Sequence, residues 1–201
     1  MAEEAELTIG AQARCSDGPG GEVIRIVMDP ATRTVTHLAI EPKHYYAPAR
    51  LVPLDLVDTT ATTGGEIRLR CTVAEFGHLD AAQEIQTVED IGPGYLGPVD
   101  VASPVAESAS MEVIVEDLVP LGETELRRGE HVHAIDGEVG QVQGVIIDRG
   151  DHRVTHVLLK EGHLWGRKEV AIPVSAVTDV TDGIVLNLTK KQVEGLPPLS
   201  R

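Results

Sequence analysis

The sequence predicts an all-β protein made of two small β-barrels in tandem, each ending in a short helix. An acidic linker that contains glycine and proline joins the two barrels. Three observations support this prediction: an internal repeat, short β-branched or alternating segments separated by turn residues, and an intervening stretch too poor in large apolar residues to form a core. The predicted boundaries are 1–80 for the first barrel, 81–127 for the linker and 128–201 for the second barrel.

The repeat emerges when Gly10 is aligned with Gly129, an offset of 119 residues. Of the 41 gap-free pairs that begin there, ten are identical. The second copy later gains one residue, so that Val52 lies on Ile172. About 70 residues are enough for a small domain with its own core, which favours two domains over a solenoid. The identical pairs are Gly10/Gly129, Asp17/Asp136, Gly18/Gly137, Gly21/Gly140, Val23/Val142, Asp29/Asp148, Val35/Val154, Thr36/Thr155, His37/His156 and His44/His163.

Each copy is predicted to contain several short strands and one short helix. The apolar residues at Val23, Ile26, Leu38 and Ile40 are expected to occupy the same interior places as Val142, Val145, Val157 and Leu159. Five or six short strands in one unit favour a closed barrel, because closure leaves no exposed edge. The strands are expected at 8–14, 22–29, 34–41, 50–57 and 66–71, and at 130–134, 139–148, 153–161, 169–174 and 184–188.

The helices are predicted at 73–79 and 190–194. Thr72 and Thr189 are the expected N-caps, because Glu75 and Gln192 follow them by three residues, as in a capping box. Pro53 donates no backbone N–H, so it is expected at a strand end, an edge or a bulge.

The segment between the copies holds most of the acidic excess. Residues 81–127 carry one basic and ten acidic side chains, a net charge of −9 within a total of −15. Nucleic-acid binding depends on Lys and Arg that neutralise phosphates, so no nucleic-acid partner is expected. Residues 92–110 are expected to be cut first by a protease, releasing two folded halves. Residues 111–116 alternate and are expected to form an extra strand that pairs with one barrel.

Cys15 and Cys71 are the two cysteines of the chain, too few for a disulfide framework. No secretory signal and no apolar run of membrane-spanning length is found, so a cytoplasmic protein without membrane insertion is expected. Cys71 aligns with Leu188, which favours a small buried hydrophobic role. Cys15 precedes a turn and is expected to be the more exposed of the two.

A motif shared by the copies resembles that of a known family. The pattern Asp-Gly-x-x-Gly-x-Val at 17–23 is followed by Val-Thr-His at 35–37, and both recur at 136–142 and 154–156. This order resembles the PRC-barrel family over 10–79 and 129–196, and the stretch 162–173 resembles tandem PRC-barrel proteins of actinobacterial type. The resemblance implies compact β-barrels used for docking or assembly, with no catalytic residue and no cofactor to carry over. A shared fold does not supply a function.

Histidines are the candidate metal ligands. His131 and His133 lie two residues apart on a predicted strand and therefore share a face. His37 and His156 recur in the Val-Thr-His strands, where a ring nitrogen bonded to backbone or to a turn carboxylate is favoured over metal binding and pH sensing. None of the spacings is that of a known metal site, so no metal and no cofactor is predicted. Metal binding by these four residues or by His163 stays an open alternative.

Partner-binding residues are predicted in two equivalent loops. Tyr45 and Tyr46 align with Leu164 and Trp165, and Trp165 precedes two cations. A rigid aromatic ring beside a cation in a glycine-bounded loop is typical of an interface anchor. The alternative is that the Trp165 ring folds back and fills an open barrel end. The predicted partner-binding residues are Trp165, Arg167, Lys168, Tyr45 and Tyr46.

The leading hypothesis is a non-enzymatic protein-binding or scaffold protein, with a homodimer as one form of its partnership. The alternative is a ligand or metal sensor that uses the histidine-bearing strands. An enzyme is not predicted, because no nucleophile has a base at a recognisable spacing. Asp17 and Asp136 precede glycines and are expected to form turns, not a catalytic carboxylate pair.

Overall fold

The computed structural model describes residues 3–43, 47–60, 65–89, 111–161, 169–180 and 183–199. Strands predominate and both helices are short, which confirms a mostly β protein. The elements before residue 90 are β1 (Glu4–Thr8), β2 (Gln12–Arg14), β3 (Pro19–Asp29), β4 (Thr34–Pro42), β5 (Arg50–Pro53), β6 (Glu66–Arg68), α1 (Val73–Gly77) and β7 (Gln83–Glu89). Those that follow are β8 (Met111–Asp117), β9 (Thr124–Arg127), β10 (His131–Ala134), β11 (Gly137–Asp148), β12 (Val154–Glu161), β13 (Glu169–Pro173), β14 (Val177–Asp179), β15 (Ile184–Leu186) and α2 (Lys190–Glu194).

Two sheets have matching strand orders. The first sheet runs β5-β4-β3-β2-β6, and the second runs β13-β12-β11-β10-β15-β14. Their irregularities also correspond, since the β3–β4 register shifts between Val23 and Arg25 and the β11–β12 register shifts between Val142 and Gly144. The long strand of each copy is therefore bulged at the same place, which increases its local twist.

Neither described sheet closes on itself, so the expected closed barrel is wrong for the described part of the chain. The strand predicted at 50–57 ends at Pro53, and β13 ends at Pro173, because proline donates no N–H to a ladder. A 3-10 turn follows in each copy. In the first copy the chain then runs towards the opposite edge of the sheet, where Val57 forms an isolated bridge with Leu69 just after β6.

The halves exchange strands reciprocally. β1 pairs antiparallel with β11 of the second sheet, and β9 pairs antiparallel with β3 of the first. Leu7 lies opposite Val145, and Leu126 lies opposite Ile26, which is the same register under the 119-residue offset. Each sheet is therefore completed by a strand from the other half of the chain.

Two glycines mark the crossings between the sheets. Gly10 has φ 93° and Gly129 has φ 83°, a left-handed conformation that glycine adopts without steric cost. The Gly10 N–H donates to the Val23 carbonyl at 2.7 Å, and the Gly129 N–H donates to the Val142 carbonyl at 3.1 Å. The single strand predicted at 8–14 is consequently wrong, because the chain leaves one sheet before Gly10 and enters the other after it.

A second reciprocal contact joins the turns that follow β3 and β11. The Val35 N–H donates to the His152 carbonyl at 3.0 Å, and the Val154 N–H donates to the Arg33 carbonyl at 2.9 Å. Val154 and His152 are the counterparts of Val35 and Arg33. The two halves are therefore related by an approximate two-fold axis that passes between these turns.

One continuous apolar core extends through both sheets. The exchanged strands contribute Leu7 and Leu126, which are 0% and 1% exposed. Burial of a leucine side chain contributes roughly 1.5–3 kcal/mol, so each half stabilises the sheet of the other. The predicted interior residues are all buried: Val23, Ile26, Leu38, Ile40, Val142, Val145, Val157 and Leu159.

The capping predictions are confirmed at both helices. The Thr72 hydroxyl accepts the Glu75 N–H, and the Glu75 carboxylate accepts the Thr72 N–H. Thr189 and Gln192 form the same box at α2. Hydrogen bonds from Thr72 hold the pKa of Glu75 below its ordinary value. Neither helix in the described part of the chain is long and apolar enough to cross a membrane.

The strand predicted at 111–116 forms as β8, but within the described residues it pairs with β7 and with neither sheet. Arg25 anchors the base of this hairpin and is 4% exposed. Its Nη1 lies 3.0 Å from Asp117 Oδ1 and 2.6 Å from Glu125 Oε2, and its Nη2 donates to the Ala82 carbonyl at 2.8 Å. A buried charge with two carboxylates and a carbonyl as partners fixes the hairpin to the first sheet.

Cleavage between the halves should not release two independent domains, contrary to the sequence-based expectation, because each sheet contains a strand from the other half. We expect a chain with a specific protease site inserted after Pro104 to elute from a size-exclusion column at the volume of the intact chain after cleavage. Leu7→Asp is the matched variant: a carboxylate in the second sheet's core should allow the cut halves to separate. Two half-size species from the cut wild-type chain in native buffer would contradict the strand exchange.

Candidate functional site

The five predicted partner-binding residues, Tyr45, Tyr46, Trp165, Arg167 and Lys168, lie outside the described residues, as does His163. The strands that flank them are described. β4 ends at Pro42 and β5 begins at Arg50, while β12 ends at Glu161 and β13 begins at Glu169. The two segments therefore connect equivalent strand pairs, as the repeat predicts.

An arginine-lined groove lies along β2 and β6 of the first sheet. Arg14 and Arg68 are partners in this parallel pair, and Arg70 follows on the same side of the chain as Arg68. The groove has a volume of about 590 Å³, and all three guanidinium side chains are exposed. We call Arg14, Arg68 and Arg70 the arginine face.

The arginines of this face form only weak ion pairs with their acidic neighbours. Arg68 Nε lies 3.4 Å from Glu66 Oε1, and Arg70 Nη2 lies 3.9 Å from Asp58 Oδ1. Exposed pairs of this kind contribute about 0–1 kcal/mol. Arg14 forms no ion pair with any residue in the described ranges. Three cations thus stand against two carboxylates, on a chain whose net charge is −15.

The equivalent positions of the second sheet carry no arginine: they are His133, Val185 and Asn187. His133 and Val185 are partners in the parallel pair of β10 and β15, in the register that the arginine pair has in the first sheet. Val185 is 39% exposed, and Ile135, the counterpart of Ser16, is 69% exposed. We call Ile135 and Val185 the apolar face. The same place in the fold therefore carries three guanidinium groups in the first half, and two exposed apolar side chains with no arginine in the second.

The carboxylates of the Asp-Gly motifs accept hydrogen bonds from the N-termini of the two helices. Asp17 Oδ1 accepts the Val73 N–H at 2.7 Å, and Asp136 Oδ1 accepts the Lys190 N–H at 2.8 Å. These are the first residues of α1 and α2, whose N–H groups have no partner within the helix. The motif thus ties each turn to the helix that ends its repeat.

His37 and His156 each face a carboxylate from the other half. His37 Nδ1 lies 3.7 Å from Glu123 Oε2, and His156 Nδ1 lies 3.9 Å from Glu4 Oε1. Both distances exceed hydrogen-bond length. The Nδ1 of His156 instead lies 3.0 Å from the hydroxyl oxygen of Thr155, so its partner is a neighbouring side chain and not the predicted backbone or turn group. The buried Nδ1 of His37 has no hydrogen-bond partner among the described residues.

His131 and His133 are both exposed and lie on one side of β10, as predicted from their spacing. His131 Nδ1 lies 2.7 Å from Glu138 Oε1, and its ring centroid is 6.5 Å from that of His133. No group of three or more His, Cys, Asp or Glu residues within the described ranges could hold a metal ion. The two rings thus lie near each other on β10 without a third ligand in the described part of the chain.

Both cysteines are free thiols and are buried, with 6% exposure at Cys15 and 5% at Cys71. Burial raises the pKa of Cys15 to about 12, and the neighbouring Cys71 thiol adds to the rise. Burial likewise raises the pKa of Cys71. The buried role predicted for Cys71 is confirmed. Cys15, expected to be the more exposed of the two, is buried almost to the same extent, because its side chain faces the core ahead of the turn.

A comparison with protein-family models finds a match in the second half of the chain. Residues 128–193 match the family model of the PRC-barrel domain. The second half carries a PRC-barrel domain. The matched span includes the motif residues 136–142 and 154–156, so the resemblance is confirmed for this copy, while the first copy and the actinobacterial type stay predictions. β1, which completes the sheet of this PRC-barrel domain, comes from outside the matched span. A search of the curated proteins finds no match to the chain.

Both thiols should react slowly with a disulfide reagent in the folded protein, because the thiolate is the nucleophile. At pH 8 the rise of the Cys15 pKa from 9.0 to about 12 lowers its thiolate fraction about a thousandfold. We expect a colorimetric thiol titration to develop slowly in native buffer and quickly in urea. Cys71→Val, which leaves Cys15 as the single thiol, is the control that assigns the slow phase. A native rate within tenfold of the urea rate would contradict the burial of Cys15.

Proposed function

We propose that this chain is a non-enzymatic protein-binding or scaffold protein built from two PRC-barrel-like units in tandem. The observation that supports the proposal is the contrast between the arginine face and the apolar face, which occupy equivalent places in the two sheets. Exposed apolar residues on or next to neighbouring strands are typical of interaction surfaces, and a cationic groove on an acidic chain favours an anionic partner segment. One chain can thus engage two chemically different partners.

The strand exchange supports a scaffold role in physical terms. Because β1 and β9 belong to the sheets of the opposite halves, the arginine face and the apolar face have a fixed relative position. Surfaces that are already ordered before binding lose less conformational entropy on association. A fixed separation also raises the effective concentration of the second partner once the first is bound.

The aromatic loops complete the proposed contact surfaces. We propose that Tyr45, Tyr46, Trp165, Arg167 and Lys168 add partner contacts beside the strand pairs that they connect. A second copy of the chain is one candidate partner for these loops, and sedimentation equilibrium would detect the homodimer. A cytoplasmic location belongs to the same proposal, since two cysteines that stay reduced suit a reducing compartment.

The second candidate function is ligand sensing by the histidine-bearing strands. The observation in its favour is that His37, whose Nδ1 lacks a hydrogen-bond partner within the described chain, lines a groove of about 300 Å³ with His152. A small ligand that titrates the ring resonances of both histidines while leaving partner binding unchanged would favour sensing over scaffolding.

Partner capture with face-exchange variants tests the scaffold proposal. One variant carries Arg14→His, Arg68→Val and Arg70→Asn, which give the first sheet the residues of the second. The other variant carries Ile135→Ser and Val185→Arg, which give the second sheet residues of the first. We expect native pull-down and mass spectrometry to show that each variant loses a different set of the proteins that the wild type captures. Melting temperatures within a few degrees of wild type are the control for folding, since surface changes seldom exceed about 0.5 kcal/mol. Identical captured sets for both variants and the wild type would refute the two-face scaffold.

A further inference from the structure

Arg33 crosses the approximate two-fold axis and binds the second half. Its Nη1 donates to the Val174 carbonyl at 2.8 Å, and its Nη2 donates to the Val177 carbonyl at 2.9 Å. The first carbonyl belongs to the residue that begins the 3-10 turn after β13, and the second belongs to the residue that follows the turn. A guanidinium presents several N–H donors in a fixed fork, so one side chain satisfies both carbonyls.

The first half has an equivalent pair of backbone carbonyls, and we call each such pair a carbonyl receptor. Its 3-10 turn, Leu54–Leu56, places Leu54 and Val57 where the second half has Val174 and Val177. The φ and ψ angles of Val57 are −87° and 127°, and those of Val177 are −87° and 123°. Val57 and Val177 are each 2% exposed, yet the Val177 carbonyl is reached by Arg33. Burial of the residue therefore does not prevent a guanidinium from binding at Val57.

His152 stands opposite this receptor in place of an arginine. Its φ is 59°, against 56° for Arg33, so the two residues leave the backbone in the same direction. The imidazole is the shorter side chain, and beside it remains the groove of about 300 Å³. The groove is also lined by His37, Pro53, Leu54 and Asp55.

We propose that this groove binds an arginine side chain of a partner polypeptide. Leu54 lines the groove, and Val57 ends the turn that begins there. The incoming guanidinium donates to the Leu54 carbonyl in the groove and reaches beyond it to the Val57 carbonyl, as Arg33 reaches their counterparts. Each carbonyl accepts one backbone N–H already, from Val57 at 2.9 Å and from Thr59 at 3.1 Å, and a carbonyl oxygen accepts two. The inference rests on the proposed protein-binding function and specifies the partner's anchor residue.

The charge of the groove favours a cation. Asp55 stands where the second half has Ser175, is exposed, and forms no ion pair with the residues that the structure describes. Glu123 Oε2 lies 3.7 Å from Nδ1 of His37, which lines the groove. With a chain charge of −15, a guanidinium is attracted to the groove and then oriented by the two carbonyls.

The test compares two capped tripeptides, Gly-Arg-Gly and Gly-Lys-Gly, in NMR titrations that follow the His37 and His152 rings. We expect the arginine peptide to bind at one site, at least about tenfold more tightly than the lysine peptide. His152→Arg should abolish binding, because it gives the Leu54 and Val57 carbonyls an arginine of the chain itself, as the carbonyls of the second half already have in Arg33. Arg33→His should open the second receptor and raise the stoichiometry to two.

Three results overturn the inference: no binding of the arginine peptide, equal binding of the lysine peptide, or unchanged binding by His152→Arg. Asp55→Ser, which copies the second half, is the added variant if Arg33→His does not fold, and binding as tight as wild type in it would overturn the charge argument. The proposed function fails separately, through the face-exchange variants, because neither tripeptide experiment involves the arginine face or the apolar face. A homodimer that His152→Arg abolishes would identify a second copy as the polypeptide that supplies the arginine.

Discussion

The backbone pairing of β1 with β11 and of β9 with β3 is the interaction on which the remaining structure depends. Without these strands, half of one edge of each long central strand would lack hydrogen-bond partners, and the apolar residues beneath it would be exposed. The exchange also delivers Glu4 and Glu123 to the opposite halves, where they accept hydrogen bonds from the Thr155 and Thr36 hydroxyls at 3.0 and 2.6 Å. The threonine and the histidine of each Val-Thr-His motif therefore both lie beside a glutamate that comes from the other half.

The two halves share their interior and differ at their surfaces. Gly144 stands where the first half has Arg25, and a Cβ there would come within 2.1 Å of the Leu7 carbonyl, so β1 packs more closely than a side chain would allow. Arg25 instead carries its charge to Asp117 and Glu125 and holds the β7–β8 hairpin. The arginine face, the apolar face and the His152 groove are further differences of this kind. Duplication accounts for the core, and the surface substitutions give each half its own candidate ligand.

Local patterns were enough to predict most strands, both capping boxes and the interior residues, because these depend on neighbours in sequence. The strand exchange depends on contacts between residues about 100 or more positions apart, and the periodicity of a strand does not reveal which strand it pairs with. One signal was present: upstream of Gly10, Glu4, Glu6 and Leu7 align with Glu123, Glu125 and Leu126. The alternation at Arg68 and Arg70 was likewise visible, but their proximity to Arg14 required the parallel pairing of β2 with β6.

The central claim is that the exchanged strands make the two halves one cooperative unit. Native-state hydrogen exchange of the wild type and of Leu7→Ala tests it most directly, because Leu7 belongs to the first half and is buried in the second. Removal of this side chain should cost about 2–5 kcal/mol. The account predicts that the slowest-exchanging amides of β4 and of β12 lose the same free energy of protection. A loss confined to β11 and β12, with β4 unchanged, would show that the halves unfold independently and would contradict the account.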